Sequence, residues 1–316
     1  MKIMEPILLS VQKIWEGAPH NAFTDLVCFK GAWFCAFREG EKHARCAGKI
    51  RVITSTDGIE WESAALLEEK DVDLRDPHFS IRSDGFLEMV MGGTYFRDGG
   101  YVGRRPRVSI SADGMAWSAP KPILADGDWL WRVTRRESDG QAFGISYRLP
   151  RKNFWTIHLM KSTDGEQYTE TATMKVNGKP NEATIRFGID GQAITLVRRE
   201  SGPAKAWIGT SMPPYTDWNW NATKEYIGGP NFLMLGEGEL WAAGRFIRRG
   251  KARTALALMT TTSVEPVLFL PSSGDCSYPG MVAIGDTLTM SYYSSHEGKT
   301  SIYLAQIMID RDTIIL

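Results

Sequence analysis

The sequence predicts an all-β protein, a six-bladed β-propeller of four-stranded antiparallel blades. Three observations predict this fold. Short strand-like runs recur along all 316 residues, helical periodicity is nearly absent, and one Ser-x-Asp-Gly phrase begins at Ser55, Ser111 and Ser162, which are 56 and 51 residues apart. Because each small sheet cannot bury its own face, packing six of them round an axis is the economical arrangement. We expect residues 1–316 to form a single propeller domain.

Six units with one pattern of strands make up the predicted ring. Each unit consists of a strand, a glycine turn, a second strand, a longer loop and a third strand, as in the runs LVCFKGAWFCAF and KIRVITS. We also expect N-terminal residues to complete the last blade and close the ring. The units begin near Thr24, Asp76, Trp131, Glu182, Gly229 and Tyr278.

The repeated phrase has the chemistry of a turn. It is written STDGIEW, SADGMAW and STDGEQY in three of the six units, directly after the third strand. An Asp carboxylate in such a phrase accepts backbone N–H groups of its own turn, Gly takes the positive φ, and the aromatic residue packs back between strands. We therefore interpret the phrase as structural and look for the chemistry elsewhere.

Composition excludes several classes of partner. Lys+Arg and Asp+Glu both number 37, which gives no basis for binding nucleic acid or an anionic membrane. No run of eighteen apolar residues is present, so that no membrane span is predicted. The start, MKIMEPILLSVQKIW, lacks the apolar core and cleavage site of a signal peptide. We expect either a cytoplasmic chain or a mature one whose leader has been removed.

The four cysteines predict neither a metal site nor a disulfide framework. Cys28, Cys35, Cys46 and Cys276 show no CxxC or Cys/His spacing, and free thiols are the expected state. No His/Asp/Glu cluster has the spacing of metal ligands along the chain. The sequence therefore predicts no metal and no cofactor.

Three arginines share one position at the end of a second strand, seven residues after a turn glycine. They are Arg38, Arg198 and Arg245, which follow Gly31, Gly191 and Gly238. Second strands of a propeller end at the mouth of the central channel, so we expect the three guanidinium groups to face one volume. Their planar forks suit a carboxylate ligand. The alternative is that each arginine pairs with a local acid such as Glu39 or Glu200.

The turns and two inner strands resemble the sialidase (neuraminidase) superfamily. STDGIEW and SADGMAW resemble its Asp-box, which non-enzymatic propellers share and which therefore indicates fold more than function. NEATIRFGIDGQ and SYPGMVAIGDT are similar to the sialidase segments that carry a glutamate and the tyrosine nucleophile. The resemblance implies that Tyr278 attacks the sugar, that Glu182 activates it, and that an arginine triad grips the sugar carboxylate.

A tyrosine nucleophile suits an acidic sugar. A carboxylate beside the anomeric carbon repels a carboxylate nucleophile, whereas a phenol is neutral. Tyrosine, with an ordinary pKa of about 10, needs a base to react at neutral pH, and Glu182 is that base. The predicted function is therefore an exo-acting glycoside hydrolase for a sialoside, another keto-acid sugar or a uronide.

Two departures from the family pattern concern the acid and the first arginine. The Phe-Arg-Ile-Pro motif is replaced by NAFTDL, so that Arg38 has to substitute for its arginine. The blade-one loop REGEKHARCAGK lacks the family's catalytic aspartate. Asp76, in LRDPHF, is the best substitute by position, although Arg75-Asp76-Pro77 also reads as a local ion pair. The next candidates for the general acid, after Asp76, are Glu39, Asp25, His43 and Asp275.

Other residues are expected to line a sugar site of aromatic and polar groups. They are Asp25, Trp131, Arg132, Asn231 and His296, with His78 and Tyr292 beside them. Three alternatives stay open: a non-catalytic propeller that binds acidic glycan or a protein partner, an inverting pair of Asp76 and Glu182, and a neutral-sugar hydrolase of five blades suggested by the RDP phrase. The count of six units disfavours the last.

Overall fold

A computed structural model of the protein describes residues 5–98, 100–236 and 238–309, and these ranges contain strands and no helix. The chain begins with β1 (Ile7–Trp15). Blade one contains β2 (His20–Phe29), β3 (Ala32–Gly40), β4 (Lys49–Ser55) and β5 (Glu62–Leu67). Blade two contains β6 (Val72–Ile81), β7 (Leu87–Arg97), β8 (Gly100–Ser111) and β9 (Lys121–Pro122). Blade three contains β10 (Asp128–Arg135), β11 (Ala142–Arg151), β12 (Phe154–Ser162) and β13 (Thr169–Met174).

The second half of the chain continues the same pattern. Blade four contains β14 (Pro180–Phe187), β15 (Ala193–Arg199), β16 (Trp207–Ser211) and β17 (Asn219–Ala222). Blade five contains β18 (Gly228–Leu235), β19 (Glu239–Arg248), β20 (Lys251–Met259) and β21 (Val264–Phe269). Blade six contains β22 (Cys276–Ile284), β23 (Thr287–Ser294) and β24 (Ser301–Met308). The six sheets are antiparallel, and the predicted six-bladed propeller is confirmed.

The N-terminal strand closes the ring, as the sequence analysis expected. Strand β1 pairs antiparallel with β24, so that the last sheet has the order β1-β24-β23-β22. The pairing runs from Ile7 opposite Met308 to Trp15 opposite Ile302. Because the first and last strands belong to one blade, opening the ring requires breaking this ladder. Apolar side chains fill the space between neighbouring blades, as Phe34, Leu74 and Met89 do between blades one and two.

The repeated phrases are the turns after β4, β8 and β12. In the first, the amide of Gly58 donates to Ser55 Oγ at 2.8 Å, and Asp57 Oδ1 accepts the amides two and three residues further on at 2.8 and 3.0 Å. The closing indole donates to the glycine carbonyl at 3.2 Å. Asp113 and Asp164 accept the corresponding amides in their own turns. The carboxylates are thus used within the turns, as the structural interpretation requires.

Two further features bear on the expectations from composition. The four cysteines are free thiols, two of them buried and two partly buried. Among the described residues, no helix has the length and apolarity needed to cross a membrane.

Candidate active site

Each of the six innermost strands carries a β-bulge near its start, where it enters the central channel. The register shifts after Ala22, Arg75, Leu130, Pro180, Gly228 and Ser277. A bulge bends the strand and redirects a side chain, and bulges are frequent beside active sites. The first bulge residue has a positive φ in four blades: Phe23 (62°), Asp76 (52°), Gly229 (58°) and Tyr278 (54°). Three of these four are not glycine, so the backbone is strained at this end of the channel.

The bulges bring Tyr278 and Glu182 into direct contact. Tyr278 Oη donates to Glu182 Oε1 at 2.6 Å. Arg198 Nη1 donates to the same phenol oxygen at 2.9 Å and to Glu182 Oε2 at 2.7 Å, and the amide of Gly229 donates to Oε2 at 2.8 Å. The phenol and both carboxylate oxygens are therefore fixed by three different blades. A phenol held against a carboxylate in this way can act as a nucleophile beside its base.

Burial and charge set the resting protonation of this pair. Burial raises the pKa of Tyr278 well above its ordinary value, the charge of Glu182 adds to the rise, and Arg198 and Arg245 oppose it. Burial alone would raise the pKa of Glu182, but the charge and hydrogen bond of Arg198, with those from Tyr278 and Gly229, lower it below its ordinary value. The resting pair is thus a neutral phenol donating to an ionised carboxylate.

Arg245 covers the face of the Tyr278 ring. Its guanidinium carbon lies 5.5 Å from the ring centroid. Its Nε donates to the carbonyl of Cys276 at 2.8 Å, and its Nη2 donates to Tyr293 Oη at 2.9 Å and approaches Asp275 Oδ1 at 3.5 Å. These contacts use Nε and Nη2. A cation over the ring also favours the negative charge that develops on Tyr278 when it loses its proton.

Arg38 does not join the other two arginines, which corrects the expectation from the sequence. Its side chain is 0% exposed. Its Nε donates to Asp73 Oδ1 at 2.7 Å, its Nη1 donates to the carbonyl of Lys42 at 2.8 Å, and its Nη2 donates to Cys46 Sγ at 3.1 Å. All three nitrogens are therefore occupied within blades one and two. For Arg38 the alternative of a local acid is correct, although the acid is Asp73 and not Glu39.

The strand registers separate Arg198 from the other two arginines, although it is Arg38 that lies away from Tyr278. Arg38 and Arg245 lie opposite Ala22 and Gly228, each one step before the bulge of its inner strand. Arg198 lies opposite the bulge itself, because its strand begins two residues after the turn glycine and the other two strands begin one residue after theirs. A shift of one residue turns a side chain to the other face of a sheet. Arg198 also forms an ion pair with Glu200.

Arg75, which the sequence analysis treated only as a partner of Asp76, is the third arginine near Tyr278. Its guanidinium carbon lies 4.9 Å from the ring centroid of Phe23, and that ring lies 5.1 Å from the ring of Tyr278. The guanidinium carbon of Arg75 also lies 5.9 Å from the centroid of the Trp129 ring. Within the described residues no nitrogen of its guanidinium donates a hydrogen bond, and its Nε lies 3.7 Å from Asp76 Oδ2. The guanidinium of Arg75 can therefore donate to an anion placed beside the Phe23 ring.

Asp76 has the environment of a proton donor. Its side chain is buried, and Oδ1 has no hydrogen-bond partner among the described residues. Burial raises the pKa of this carboxyl to about 6, since the charge of Arg75 only partly offsets burial and the charge of Glu182 adds to the rise. A carboxyl that keeps its proton up to such a pH is suited to general acid catalysis.

The other predicted binding residues lie below the Tyr278 pair or away from it. Asp25 and Arg132 are buried in the channel and bound to each other. Asn231 is buried there too, between Arg186 and the carbonyl of Pro279. Their hydrogen bonds go to the protein, which corrects the expectation that these three contact a sugar.

The two remaining predicted residues are an aromatic support and a loop histidine. Trp131 is 1% exposed, and its ring lies 5.7 Å from that of Tyr278, so that it packs against the pair from within the core. His296 lies in the turn after β23, where it hydrogen-bonds to Ser294 Oγ at 3.0 Å and its ring packs against Tyr303 at 4.9 Å. Its contacts do not include Tyr278, Glu182 or Asp76.

Two histidines and an aspartate meet beside Arg245. His20 Nε2 and His43 Nδ1 lie 2.9 and 2.7 Å from Asp275 Oδ2, and the donor atoms of the three lie within 4.8 Å of one another. Such a set fits a transition-metal ion in ligand type. The hydrogen bonds account for the arrangement without a metal ion. Burial raises the pKa of Asp275, but hydrogen bonds from His20 and His43 outweigh burial and hold that pKa well below its usual range.

This cluster escaped the search for metal spacing because its members are 23 and 232 residues apart along the chain. Arg75 escaped notice because an Arg-Asp dipeptide reads as an internal ion pair. The available signal was its position directly before Asp76, near which the second unit begins.

Comparison with known proteins places this architecture among the sialidase-like β-propellers. A protein of unknown function from Dyadobacter fermentans is 17% identical, with a TM-score of 0.84 over 98% of this chain and 100% of that one. Trypanosoma rangeli sialidase is 12% identical, with a TM-score of 0.74 over 96% of this chain. The chain spans 58% of the length of that sialidase.

A third similar structure is a variant of an α-L-arabinofuranosidase from Fusarium graminearum, which is 10% identical with a TM-score of 0.68 over 98% of both chains. No protein-family model matches the sequence, and a search of curated proteins gives no match either. At these identities the likeness is one of fold. The function has to be argued from the site itself.

Proposed function

We propose that the protein is an exo-acting glycoside hydrolase with a tyrosine nucleophile, and that its substrate is a glycoside of an acidic sugar, sialic acid or a related keto or uronic acid. The observation that carries the proposal is the 2.6 Å hydrogen bond from Tyr278 Oη to Glu182 Oε1. A propeller that only binds glycan needs cationic and aromatic groups at its mouth, but it has no need of a phenol held against an ionised carboxylate.

The first step forms a glycosyl-enzyme. Tyr278 Oη attacks the anomeric carbon while its proton passes to Glu182, and Asp76 gives its proton to the oxygen of the leaving group as the glycosidic bond breaks. Arg198, which already donates to the phenol oxygen, stabilises the charge that develops there.

The second step releases the sugar and restores the enzyme. The Asp76 carboxylate takes a proton from a water molecule, whose oxygen attacks the anomeric carbon. The bond between that carbon and the Tyr278 oxygen breaks, and the phenol recovers its proton from Glu182. Two displacements at one carbon retain the configuration of the sugar.

The acidic character of the substrate is argued from Arg75 and Arg245. Among the described residues the guanidinium of Arg75 donates no hydrogen bond and its Nε lies 3.7 Å from Asp76 Oδ2, while the hydrogen bonds of Arg245 to Cys276 and Tyr293 use its Nε and Nη2. Both groups flank the aromatic pair of Phe23 and Tyr278. A planar carboxylate matches such forks and accepts charge-assisted hydrogen bonds, which a neutral sugar does not offer.

Turnover of a panel of aryl glycosides tests the proposal. The panel contains an α-sialoside, uronides and an α-L-arabinofuranoside, the last because one similar structure is an arabinofuranosidase. We expect turnover of an acidic glycoside that Tyr278→Phe abolishes. Turnover of the arabinofuranoside alone would contradict the assignment of an acidic sugar. Binding of acidic glycan without turnover of any glycoside would contradict hydrolysis.

The pH dependence of turnover reports on Asp76 and Glu182. Asp76 has to be protonated, and because its pKa is raised to about 6, kcat is expected to fall as the pH rises through 6. Glu182 has to be ionised, and because its pKa is lowered, activity is expected to persist below pH 4.5. The measurement is a pH profile of kcat for wild type and Asp76→Asn. The decline above pH 6 should vanish in the variant, and a profile that keeps it would exclude Asp76 as the acid.

Arg75→Gln should raise KM for the acidic glycoside by about tenfold to a hundredfold, because one charge-assisted hydrogen bond is worth about 1.5–3 kcal/mol. Arg104 offers a matched control, since it also lies over Trp129 but donates to the carbonyls of Gly127 and Tyr147. Arg104→Gln should leave KM within about twofold of wild type. An equal rise in both variants would mean that Arg75 supports the packing and does not bind the carboxylate.

A further inference from the structure

Below Tyr278 the channel contains a ring of polar groups, one from each blade. The ring consists of the side chains of Asp25, His78, Arg132, Arg186 and Asn231 and the carbonyl of Pro279. None of these groups takes part in the proposed hydrolysis. Asp25, His78, Arg132 and Asn231 are buried, and Arg186 is partly exposed.

Hydrogen bonds join the two arginines of this ring through two neutral groups. Arg132 Nη1 donates to both oxygens of Asp25 at 2.7 Å, and its Nη2 approaches the carbonyl of Pro279 at 3.4 Å. Asn231 donates to the same carbonyl at 3.0 Å and accepts from Arg186 Nη2 at 3.0 Å. The two guanidinium groups therefore lie within one small volume around Asn231 and Pro279.

The charges of the ring do not balance. Asp25 neutralises Arg132, but within the described residues no carboxylate forms an ion pair with Arg186. The remaining bonds of Arg186 go to the hydroxyl of Thr134 and the carbonyl of Ile185. Burial, together with repulsion from Arg132, lowers the pKa of Arg186 to about 9, which still leaves it charged at neutral pH. The ring thus carries one excess positive charge.

Donors without acceptors lie beside that charge. His78 is 2% exposed, and neither of its ring nitrogens has a hydrogen-bond partner among the described residues; its Nδ1 lies 3.9 Å from Asp25 Oδ2. Arg132 Nε and Trp131 Nε1 likewise lack an acceptor there, and the Trp131 ring packs against His78 at 4.6 Å. Buried N–H groups are nearly always paired, so an acceptor is expected between them.

We propose that the central channel binds a small monovalent anion, of the size and charge of a halide, between His78, Arg132 and Arg186. A single excess charge selects a monovalent ion over a divalent one, because a second negative charge would be buried without a partner. The anion accepts from the free donors and offsets the charge of Arg186. This site is separate from the hydrolytic one, and it stands whether or not the protein cleaves a glycoside.

Thermal unfolding of the full chain in chloride and in gluconate, at equal ionic strength, tests the site. A ligand that binds only the folded state raises the melting temperature saturably, and we expect a rise of roughly 4 °C at saturating chloride relative to gluconate. Arg186→Gln should remove the difference between the two salts. Arg151→Gln, at an exposed arginine of blade three, should keep it.

A crystal grown in bromide locates the ion independently of any variant, which matters if Arg186→Gln fails to fold. We expect an anomalous peak between His78 and Arg186. A channel that contains only water in that crystal would overturn the proposal. So would equal melting temperatures of the wild type in chloride and gluconate.

Discussion

Tyr278→Phe is expected to lower kcat for the acidic glycoside by about 10⁴-fold or more, because it removes the atom that attacks the sugar. The ring itself is kept, with its contacts to Phe23 and Trp131. The fold should therefore survive, and binding of the sugar should change little. The measurement is kcat for wild type and variant, with the melting temperature of each as the check on folding.

Tyr292→Phe is the matched control for this variant. Tyr292 is also buried, but its hydroxyl donates to the carbonyl of Pro271 at 3.0 Å and not to a carboxylate of the site. Its loss should cost about 1 kcal/mol of stability and leave kcat within about twofold. Retention of more than a tenth of the activity in Tyr278→Phe would mean that another group attacks the sugar.

Glu182→Gln should lower kcat by about 10²–10⁴-fold, the usual contribution of a general base. The amide oxygen can still accept from Gly229, but the side chain no longer takes the proton of Tyr278. Because base and nucleophile act as one unit, the double variant Tyr278→Phe/Glu182→Gln should be no slower than Tyr278→Phe alone within about tenfold. Multiplicative losses in the double variant would show that the two side chains act separately.

Glu200→Gln is the control for the loss of a carboxylate beside Arg198. Glu200 forms an ion pair with that arginine but has no contact with the phenol oxygen of Tyr278. We expect less than a tenfold change in kcat. A loss equal to that of Glu182→Gln would mean that the charge around Arg198 matters and that proton transfer to Glu182 does not.

The fold was predictable because its signals are local. The turn chemistry around Asp57, Asp113 and Asp164 marks the ends of third strands, and the pattern of strands and glycine turns repeats six times along the chain. Closure by the N-terminal strand was also expected, although no residue in Ile7–Trp15 identifies its partner strand. Pairing across the whole length of a chain has no local signal.

The site residues were predictable only where the sequence resembled a known family and where a unit of the repeat begins. Tyr278 and Glu182 come from inner-strand bulges, and their contact agrees with the pairing that the resemblance implied. The arginines were harder, because Arg38 and Arg245 share one strand register and yet Arg245 is the one that lies over the Tyr278 ring. Arg38 was drawn into an ion pair with Asp73, an acid of the next blade that no spacing reveals.

The positively charged groups that lie near Tyr278 instead of Arg38 are brought there by packing between blades. Arg75 lies over Phe23 of blade one although it belongs to blade two. The cluster of His20, His43 and Asp275 joins blade one to the start of blade six. Contacts of this kind depend on how neighbouring sheets are stacked, and a single sequence carries no record of that geometry.

Trapping of the covalent intermediate tests whether Tyr278 is the nucleophile. The wild-type protein is incubated with the fluorinated analogue of whichever acidic sugar it hydrolyses, such as 2,3-difluorosialic acid, and its peptides are mapped by mass spectrometry. We expect the mass of one fluorinated sugar on the peptide that contains Tyr278, and no label in Tyr278→Phe. A label on Asp76 or Glu182, or turnover with inversion of the sugar and no label at all, would contradict it.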